Sequence, residues 1–276
     1  MMTTTQLGGD TISYVCKLVC DRSAIELDES KTYLIEARLS PLAKRAGCAT
    51  VHDYLLQVKG SERRVDVDSI VEAMTTNETS FFRDLHPFEA LRESIVPEMM
   101  ERRRSQKTLR IWSAACSTGQ ELYSTAMMLK ENFPELGNWD LKLVGTDLSD
   151  EVLRRAQEGV YSQIEVNRGL PAKLLAKYFQ HDGLCWKLHS DVMAQTSFKK
   201  LNLIEHWVGM PKMDIVFLRN VLIYFSTDVK RRILEKVRQI MNPDGILFLG
   251  AAETTLNLDL SFVRDQYNNS VFYRVG

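Results

Sequence analysis

Residues 109–124 read LRIWSAACSTGQELYS, and the fold class follows from them. An apolar lead of Leu109, Ile111 and Trp112 runs into seven small or short side chains, Ser113 to Gly119, and then into a segment with helical spacing. That is a strand, a tight turn and a helix. Small side chains let a ligand approach the backbone, and a helix start offers unpaired N–H groups. With Gly119 as its single glycine the turn is not G-x-G-x-x-G, so a nucleotide-type site and a plain tight turn both fit this stretch alone.

Working outward, short apolar segments at 109–113, 141–145, 213–218 and 245–250 alternate with helical ones at 120–131, 149–159 and 227–241. This rhythm predicts a parallel sheet with helices on both faces. Asn242-Pro243-Asp244-Gly245 is expected to end the last helix with a turn. Between residues 161 and 203 the rhythm lapses. Leu184, Trp186 and Leu188 alternate beside Asp182-Gly183, which reads as a small antiparallel insertion at about 177–196. Residues 262–275, broken by Asn268-Asn269, read as an antiparallel closing pair. Upstream of the strand everything is helical. Segments 10–20, 30–46, 51–58 and 67–74 carry apolar residues at helical spacing, such as Ile35, Leu39, Leu42 and Ala46. Lys31, Arg38 and Arg45 fall seven apart on the opposite face, with Lys44 beside them. Ser40-Pro41 either kinks that helix or restarts it. The reading is an α/β chain of two domains. Residues 1–76 form an all-helical domain with a disordered lead, and 77–276 form a catalytic domain that includes the β insertion.

Length supports two domains: 276 residues at roughly 150 per domain. Thirty-five Lys and Arg against 36 Asp and Glu leave a net charge of −1, which argues against a nucleic-acid binder. No apolar run approaches the roughly 18 residues of a membrane span, and the first ten residues lack the pattern of a secretory signal. Five cysteines with no C-x-x-C pair suit reduced thiols in a cytoplasmic protein. His181, Cys185 and His189 lie four apart, but the Asp182-Gly183 turn interrupts them, so no metal site is expected.

Three further segments carry chemistry. Asp147 ends the 141–145 strand region in GTDLS (145–149), where an acid can grip ribose hydroxyls. It or Ser149 can equally cap the next helix. Asp147 lies 28 residues after Gly119, longer than the roughly 20 of a dinucleotide fold, which leans away from NAD. TTNETSFFR (75–83) packs polar residues beside Phe81-Phe82 and one arginine; it is either a site segment or a helix cap with an aromatic staple. FLRNVLIYF (217–225) ends a buried-looking strand in Arg219-Asn220, where substrates bind in open α/β sheets.

Together with KKLNL (199–203), RNVLIYF (219–225) and the closing NPDG, these segments in this order resemble the CheR-type chemotaxis receptor methyltransferases, over nearly the whole chain. The resemblance implies a class I, Rossmann-like methyltransferase sheet behind a helical receptor-recognition domain. It implies S-adenosylmethionine as cofactor, with S-adenosylhomocysteine as product. Carried over by position, the cofactor contacts fall on Asn77, Thr79, Arg83, Glu121, Asp147, Asn202, Leu203, Asn220 and Val221. Arg83 and Tyr224 are the candidates for positioning at the methyl; for Tyr224 a core aromatic with a satisfied hydroxyl is the equal alternative. The family's G-E-E-P-Y-S is here Gly119-Gln120-Glu121-Leu122-Tyr123-Ser124, so the departure falls beside Glu121.

The implied reaction is O-methylation of glutamates on the cytoplasmic helical domain of transmembrane chemoreceptors, without membrane insertion, by a monomer. A glutamate is ionised at neutral pH, so its oxygen needs no general base, and no Ser-His-Asp or Cys-His set is expected. The basic residues Lys31, Arg38, Lys44 and Arg45 resemble the family's receptor-facing helix; a solvated helix face is the plain alternative. Members that dock a receptor's C-terminal pentapeptide have an extended Gly-containing loop in the insertion. His181-Asp182-Gly183 is short, so no dependence on that tether is expected. The rival readings are a class I methyltransferase for another substrate, and a non-catalytic adenosylmethionine-binding signalling module.

Overall fold

In the computed structural model, the described residues are 7–28, 30, 32–61 and 64–276. Of the expected lead at 1–10, residues 1–6 lie outside them, as does Lys31, while Gly9 and Asp10 belong to the first helix and correct that expectation. The chain divides into two compact units. One holds the residues up to Thr76 together with Tyr224–Val229, the other Asn77–Ile223 and Lys230–Gly276.

The N-terminal unit is built from α1 (Gly9–Ser23), α2 (Thr32–Arg45), α3 (Val51–Ser61) and α4 (Arg64–Met74). Each presents an apolar stripe, and Val15, Val19, Ile35, Leu39, Leu55 and Ile70 are buried. α2 runs unbroken through Pro41. Pro41 has no N–H to return to the preceding turn, and the Ser40 hydroxyl donates to the Glu36 carbonyl there (2.7 Å). Of the two expected outcomes, a kink or a restart, the restart is not found, because one helix runs from Thr32 to Arg45. Arg38 reaches back from α2 to the end of α4. Its guanidinium donates to the carbonyls of Met74 (2.6 Å) and Thr75 (3.0 Å) and to the Thr76 hydroxyl (3.1 Å), meeting carbonyls that a helix end leaves unpaired.

The larger unit carries a seven-stranded sheet of β1 (Thr108–Ala114), β2 (Asp140–Asp147), β6 (Thr196–Lys200), β7 (Met213–Leu218), β8 (Met241–Leu249), β9 (Phe262–Tyr267) and β10 (Ser270–Val275), in the order β6-β2-β1-β7-β8-β10-β9. The first five of these are parallel, and β10 runs antiparallel to both β8 and β9. α5 (His86–Ala90) and α6 (Val96–Arg102) precede β1; α7 (Gln120–Asn132) and α8 (Asp150–Glu158) follow β1 and β2. β7, MDIVFL, is buried along its whole length, as an all-parallel central strand must be. Asn242-Pro243-Asp244-Gly245 does not simply end a helix. Met213 faces Met241 and Ile215 faces Ile246, so the segment bulges out of a strand that already began at Met241.

The insertion is a three-stranded antiparallel sheet in the order β3-β5-β4. Its hairpin, β4 (Phe179–Asp182) and β5 (Cys185–Leu188), lies within the expected 177–196, but its third strand is β3 (Val160–Ser162), well upstream. α9 (Gln163–Asn167) and α10 (Ala172–Tyr178) link β3 to β4, and α11 (Ser190–Met193) leads to β6. α12 (Thr227–Ile240) precedes β8.

Candidate active site

In the order β6-β2-β1-β7-β8, β1 has β2 on one side and β7 on the other. Its C-terminal end is therefore the place where the strand order reverses, and ligands bind in such crevices. The chain leaves β1 through Ala115, Ser117 and Gly119, all with positive φ (56°, 51° and 90°). Non-glycine residues in that region mark a backbone held by its surroundings. At Gly119 a Cβ would sit 3.0 Å from the Ala156 Cβ, so glycine is needed for both dihedral and space. Gly119 offers no side chain to cap the first amides of α7.

Asp147 closes β2 beside this loop and is buried. One oxygen accepts the Ser117 amide (2.8 Å), the other the Ser149 amide (3.1 Å). The cap of α8 is Ser149, whose hydroxyl accepts the Val152 amide, so the acid and the cap are different residues. From β6 the Leu201 amide reaches the Asp147 carbonyl (2.9 Å), which brings Asn202 and Leu203 to the same edge. The Asn202 carboxamide oxygen accepts the Ile204 amide and its carbonyl accepts the Trp207 indole N–H. Trp207 lies edge-on to buried Trp112, 5.1 Å between centroids. Lys236 sits 4.5 Å over the Trp207 ring and donates to the carbonyls of Leu203 and Glu205. Burial, followed by the Arg232 charge, pushes its ammonium down to about 8.

TTNETSFFR does not cap a helix. Phe81 is fully buried against Tyr161 (5.0 Å) and Phe179 (5.7 Å), and Phe82 packs on Phe88 (5.1 Å). The Tyr161 hydroxyl donates to the Thr118 carbonyl in the β1–α7 loop (2.8 Å). The Asn77 carbonyl accepts the Ser117 hydroxyl (2.8 Å) and the Phe82 amide donates to the Ser124 hydroxyl (2.9 Å), so the segment lies along the start of α7. Arg83, half-buried, braces the turn by donating to the Glu78 carbonyl (3.0 Å). Thr79 lies within this turn, half-buried.

Glu121, in the first turn of α7, accepts from the Ser113 hydroxyl (2.7 Å) and from Arg219 (2.8 Å). Arg219 follows β7 with its side chain 2% exposed; its other terminal nitrogen donates to the Arg83 carbonyl (3.0 Å) and to Asp84 (2.6 Å). Asn220, at φ 59°, and Val221 are held through their backbone amides by Glu253, which also takes the amides of Gly250 and Ile223. The buried thiol of Cys116 is pushed well up by desolvation and by the charges of Asp147 and Glu121, so it stays neutral.

Asn77, Thr79, Arg83, Glu121, Asp147, Asn202, Leu203, Asn220 and Val221 therefore all lie on the segments that leave the carboxyl ends of these strands or pack on them. A buried acid beside a loop of small side chains at such a crevice suits a nucleoside-type ligand. Tyr224 falls in the other unit, where its carbonyl accepts the Glu26 amide (3.0 Å). Lys44 and Arg45 are exposed at the end of α2. Among the described residues, no group of three or more His, Cys, Asp and Glu could hold a metal ion, and no helix is long and apolar enough to cross a membrane.

Residues 77–267 match the family described as CheR methyltransferase, SAM binding domain, and residues 10–75 match its all-alpha domain. The chain belongs to the CheR methyltransferase family. It is 38% identical over 255 residues to chemotaxis protein methyltransferase 1 of Pseudomonas aeruginosa, across 91% of this chain and 92% of that protein. It is 37% identical over 254 residues to chemotaxis protein methyltransferase Cher2 of Pseudomonas putida, with the same coverage. With chemotaxis protein methyltransferase 1 of Vibrio cholerae it shares 35% over 264 residues and 94% of each chain. This CheR-family chain is thus an S-adenosylmethionine-dependent methyltransferase with the class I fold.

Asp84 and Glu253, which motif reading passed over, also build the site of this CheR-family protein, as do Ser113, Ser117 and Arg219, which it placed in the site segments without a role of their own. Arg219 carried a signal, because a cation directly after a fully apolar strand must find buried partners. Glu253 carried none, since its role depends on a turn 30 or more residues earlier.

Proposed function

We propose that this chain is a protein-glutamate O-methyltransferase acting on the cytoplasmic helical domain of transmembrane chemoreceptors, working as a cytoplasmic monomer and setting adaptation in chemotaxis signalling. What carries the reading is the assembly of the Asn77–Arg83 turn, Glu121 and Asp147 at the β1 crevice, in a chain whose two parts both match one family. S-adenosylmethionine, when bound, supplies an electrophilic methyl on a sulfonium. Asp147 would hold the ribose hydroxyls. Asn202, Leu203, Asn220 and Val221 would line the adenine and donor region, and Asn77, Thr79, Arg83 and Glu121 the amino-acid end.

The acceptor is a carboxylate that is already ionised at neutral pH, so the protein does not have to remove a proton from it. Its work is to align the carboxylate oxygen with the methyl and to exclude water. Attack neutralises two charges, so a dry crevice favours the transition state over the separated ions. Arg83 would position the carboxylate. Lys44 and Arg45 would steer an acidic receptor helix.

The deciding experiment incubates the protein and methyl-labelled S-adenosylmethionine with receptor-containing membranes. Label on the receptor that mild base releases as volatile methanol marks a carboxyl ester. Base-stable label points to another substrate chemistry, and binding of S-adenosylhomocysteine with no label transferred points to a signalling module. We also propose independence of a C-terminal pentapeptide tether, because β4 and β5 are joined through Gly183-Leu184 alone, with Asp182 opposite Cys185. Micromolar binding of such a pentapeptide in calorimetry would refute that part.

A further inference from the structure

We propose that Lys236, on α12, is a positioning residue for cofactor binding: its ammonium holds in place the loop that carries Asn202 and Leu203. The inference rests on the reading that these two residues line the adenine region. Three observations carry it.

The first is what the loop lacks. Residues 201–212, between β6 and β7, contain no helix or strand. The Asn202 carboxamide oxygen accepts the Ile204 amide (3.2 Å), and its carbonyl accepts the Glu205 amide (3.1 Å) and the Trp207 indole N–H (3.3 Å). Those bonds fold the loop on itself. A segment with no ladder to share keeps its place through contacts made from outside it.

The second is that Lys236 supplies such contacts. Its ammonium donates to the carbonyls of Leu203 and Glu205 and stands 4.5 Å from the centre of the Trp207 ring. An ammonium has three donors, and here two carbonyls and a ring converge on one charge. Trp207 also lies edge-on to fully buried Trp112, whose indole N–H donates to the hydroxyl of Thr146 (2.9 Å), the residue before Asp147. The ring therefore joins Lys236 to the carboxyl ends of β1 and β2.

The third is the setting of the charge. Two charged groups act on Lys236: Arg232, one turn earlier on α12, and Glu205 on the loop. Burial, aided by Arg232 and opposed by Glu205, brings the ammonium down to about 8 from an ordinary 10.5. Loss of that proton takes the charge away from both carbonyls and the ring, so the hold on the loop weakens as pH rises through about 8. Stability responds the other way. A lysine lowered in the folded state binds its proton more tightly when unfolded, so this group adds stability as pH rises from about 8 to 10.5.

The test compares wild type with Lys236→Met, Lys236→Arg and Asn202→Ala. Calorimetry gives S-adenosylhomocysteine affinity at pH 7 and 9.5, and a thermal midpoint is taken at each pH. This window lies above the ordinary histidine value of about 6.5, which keeps His206 of the loop out of the comparison. Lys236→Met should weaken S-adenosylhomocysteine about ten-fold at pH 7, with its midpoint near wild type. Lys236→Arg keeps a charge that does not titrate, so its affinity at pH 7 should stay within about three-fold of wild type. Between pH 7 and 9.5 wild type should lose about five-fold more affinity than Lys236→Arg, while its midpoint does not fall below that variant's. The ligand's own amino group titrates against both proteins and cancels.

Wild-type affinity in Lys236→Met would overturn the proposal. So would equal pH dependence in wild type and Lys236→Arg, or a loss of affinity that only follows the midpoint. Should Lys236→Met fail to fold, wild type against Lys236→Arg decides alone. Weakened binding in Asn202→Ala with none in Lys236→Met overturns the role of Lys236 and leaves the adenine segment standing. Unchanged affinity in both overturns the reading of the segment as well.

Discussion

The two ends of β7 each bury an arginine between carboxylates, and they do it differently. At the start of the strand Arg103, which follows α6, sits between Asp214 and Asp244. Its Nε and one terminal nitrogen donate to Asp214 (3.0 and 2.7 Å), and both terminal nitrogens donate to Asp244 (2.9 and 2.6 Å). Asp214 also accepts the Arg110 amide and the Asn242 carboxamide (2.8 Å each). Every nitrogen of that guanidinium is used. At the other end Arg219 uses its terminal nitrogens on Glu121, Asp84 and a carbonyl, while its Nε stays buried and unpaired. A missing bond at a buried charge costs stability, so most buried polar groups find partners. The incomplete set lies where the strand ends meet the candidate cofactor segments. Full bonding of Arg103 and incomplete bonding of Arg219 set these two arginines apart, although the Arg110 Nε beside the first of them is also buried without a partner.

The largest effect is expected at the complete end. Arg103→Ala strands two carboxylates, one of them almost fully buried, and should destabilise the protein by about 3–4 kcal/mol. Urea unfolding measures it. S-adenosylhomocysteine affinity of the folded protein should stay within about two-fold of wild type, since distant sites are close to independent. An Arg103→Ala protein of normal stability that no longer binds the ligand would break the comparison.

Arg83→Ala addresses the working end and should behave in the opposite way. The side chain is half-buried and braces one carbonyl, so its loss barely moves the thermal midpoint. Methyl transfer should fall by about a hundred-fold or more, equivalent to roughly 2.7 kcal/mol of transition-state stabilisation. Near-normal turnover would remove Arg83 from the methyl.

These contrasts also mark how far the sequence could be read. Strand β7 was legible because MDIVFL is an apolar run of strand length, and Asp147 because an acid closes another such run. Arg103 was not, since its partners lie 111 and 141 residues further along the chain and no local pattern joins them. Arg219 stood beside Asn220 in a motif, but its three partners come from two other segments, and only folding shows that one guanidinium joins them. Arg38 fell on a seven-residue basic spacing, of which α2 holds Arg38 and Arg45. Spacing gives the face of a helix and not the reach of its side chain, and this one ends on the carbonyls of α4. Pro41 left two outcomes open because a proline's cost depends on what replaces its missing N–H.

A smaller, pH-dependent effect sharpens the same contrast. The hydrogen bond from Arg103 holds the Asp244 carboxyl down to about 2, against an ordinary value of 3.8. A folded-state value below the unfolded one stabilises the fold above about pH 4, and that stability is lost as pH falls toward 2. The shift corresponds to roughly 2 kcal/mol. Asp244→Asn should lower stability at neutral pH and flatten the acid limb of the stability curve by that amount. An acid limb unchanged in Asp244→Asn would mean that another carboxylate carries it.

The smallest effect tests whether the same divide runs through the basic residues of α2. Lys44 and Arg45 are exposed, so exchanging both for glutamate should leave the midpoint and S-adenosylhomocysteine affinity unchanged. It should lower kcat/KM for receptor methylation by about ten-fold at low salt, and by less as ionic strength rises, because steering by exposed charge is screened. Arg38, bonded to the last carbonyls of α4, should do the reverse. Arg38→Ala should cost about 1 kcal/mol of stability and leave the salt dependence of the reaction as it was. Equal effects of all three on receptor methylation, at every salt concentration and without loss of stability, would place Arg38 with the steering charges and undo the distinction between bonded and exposed members of the stripe.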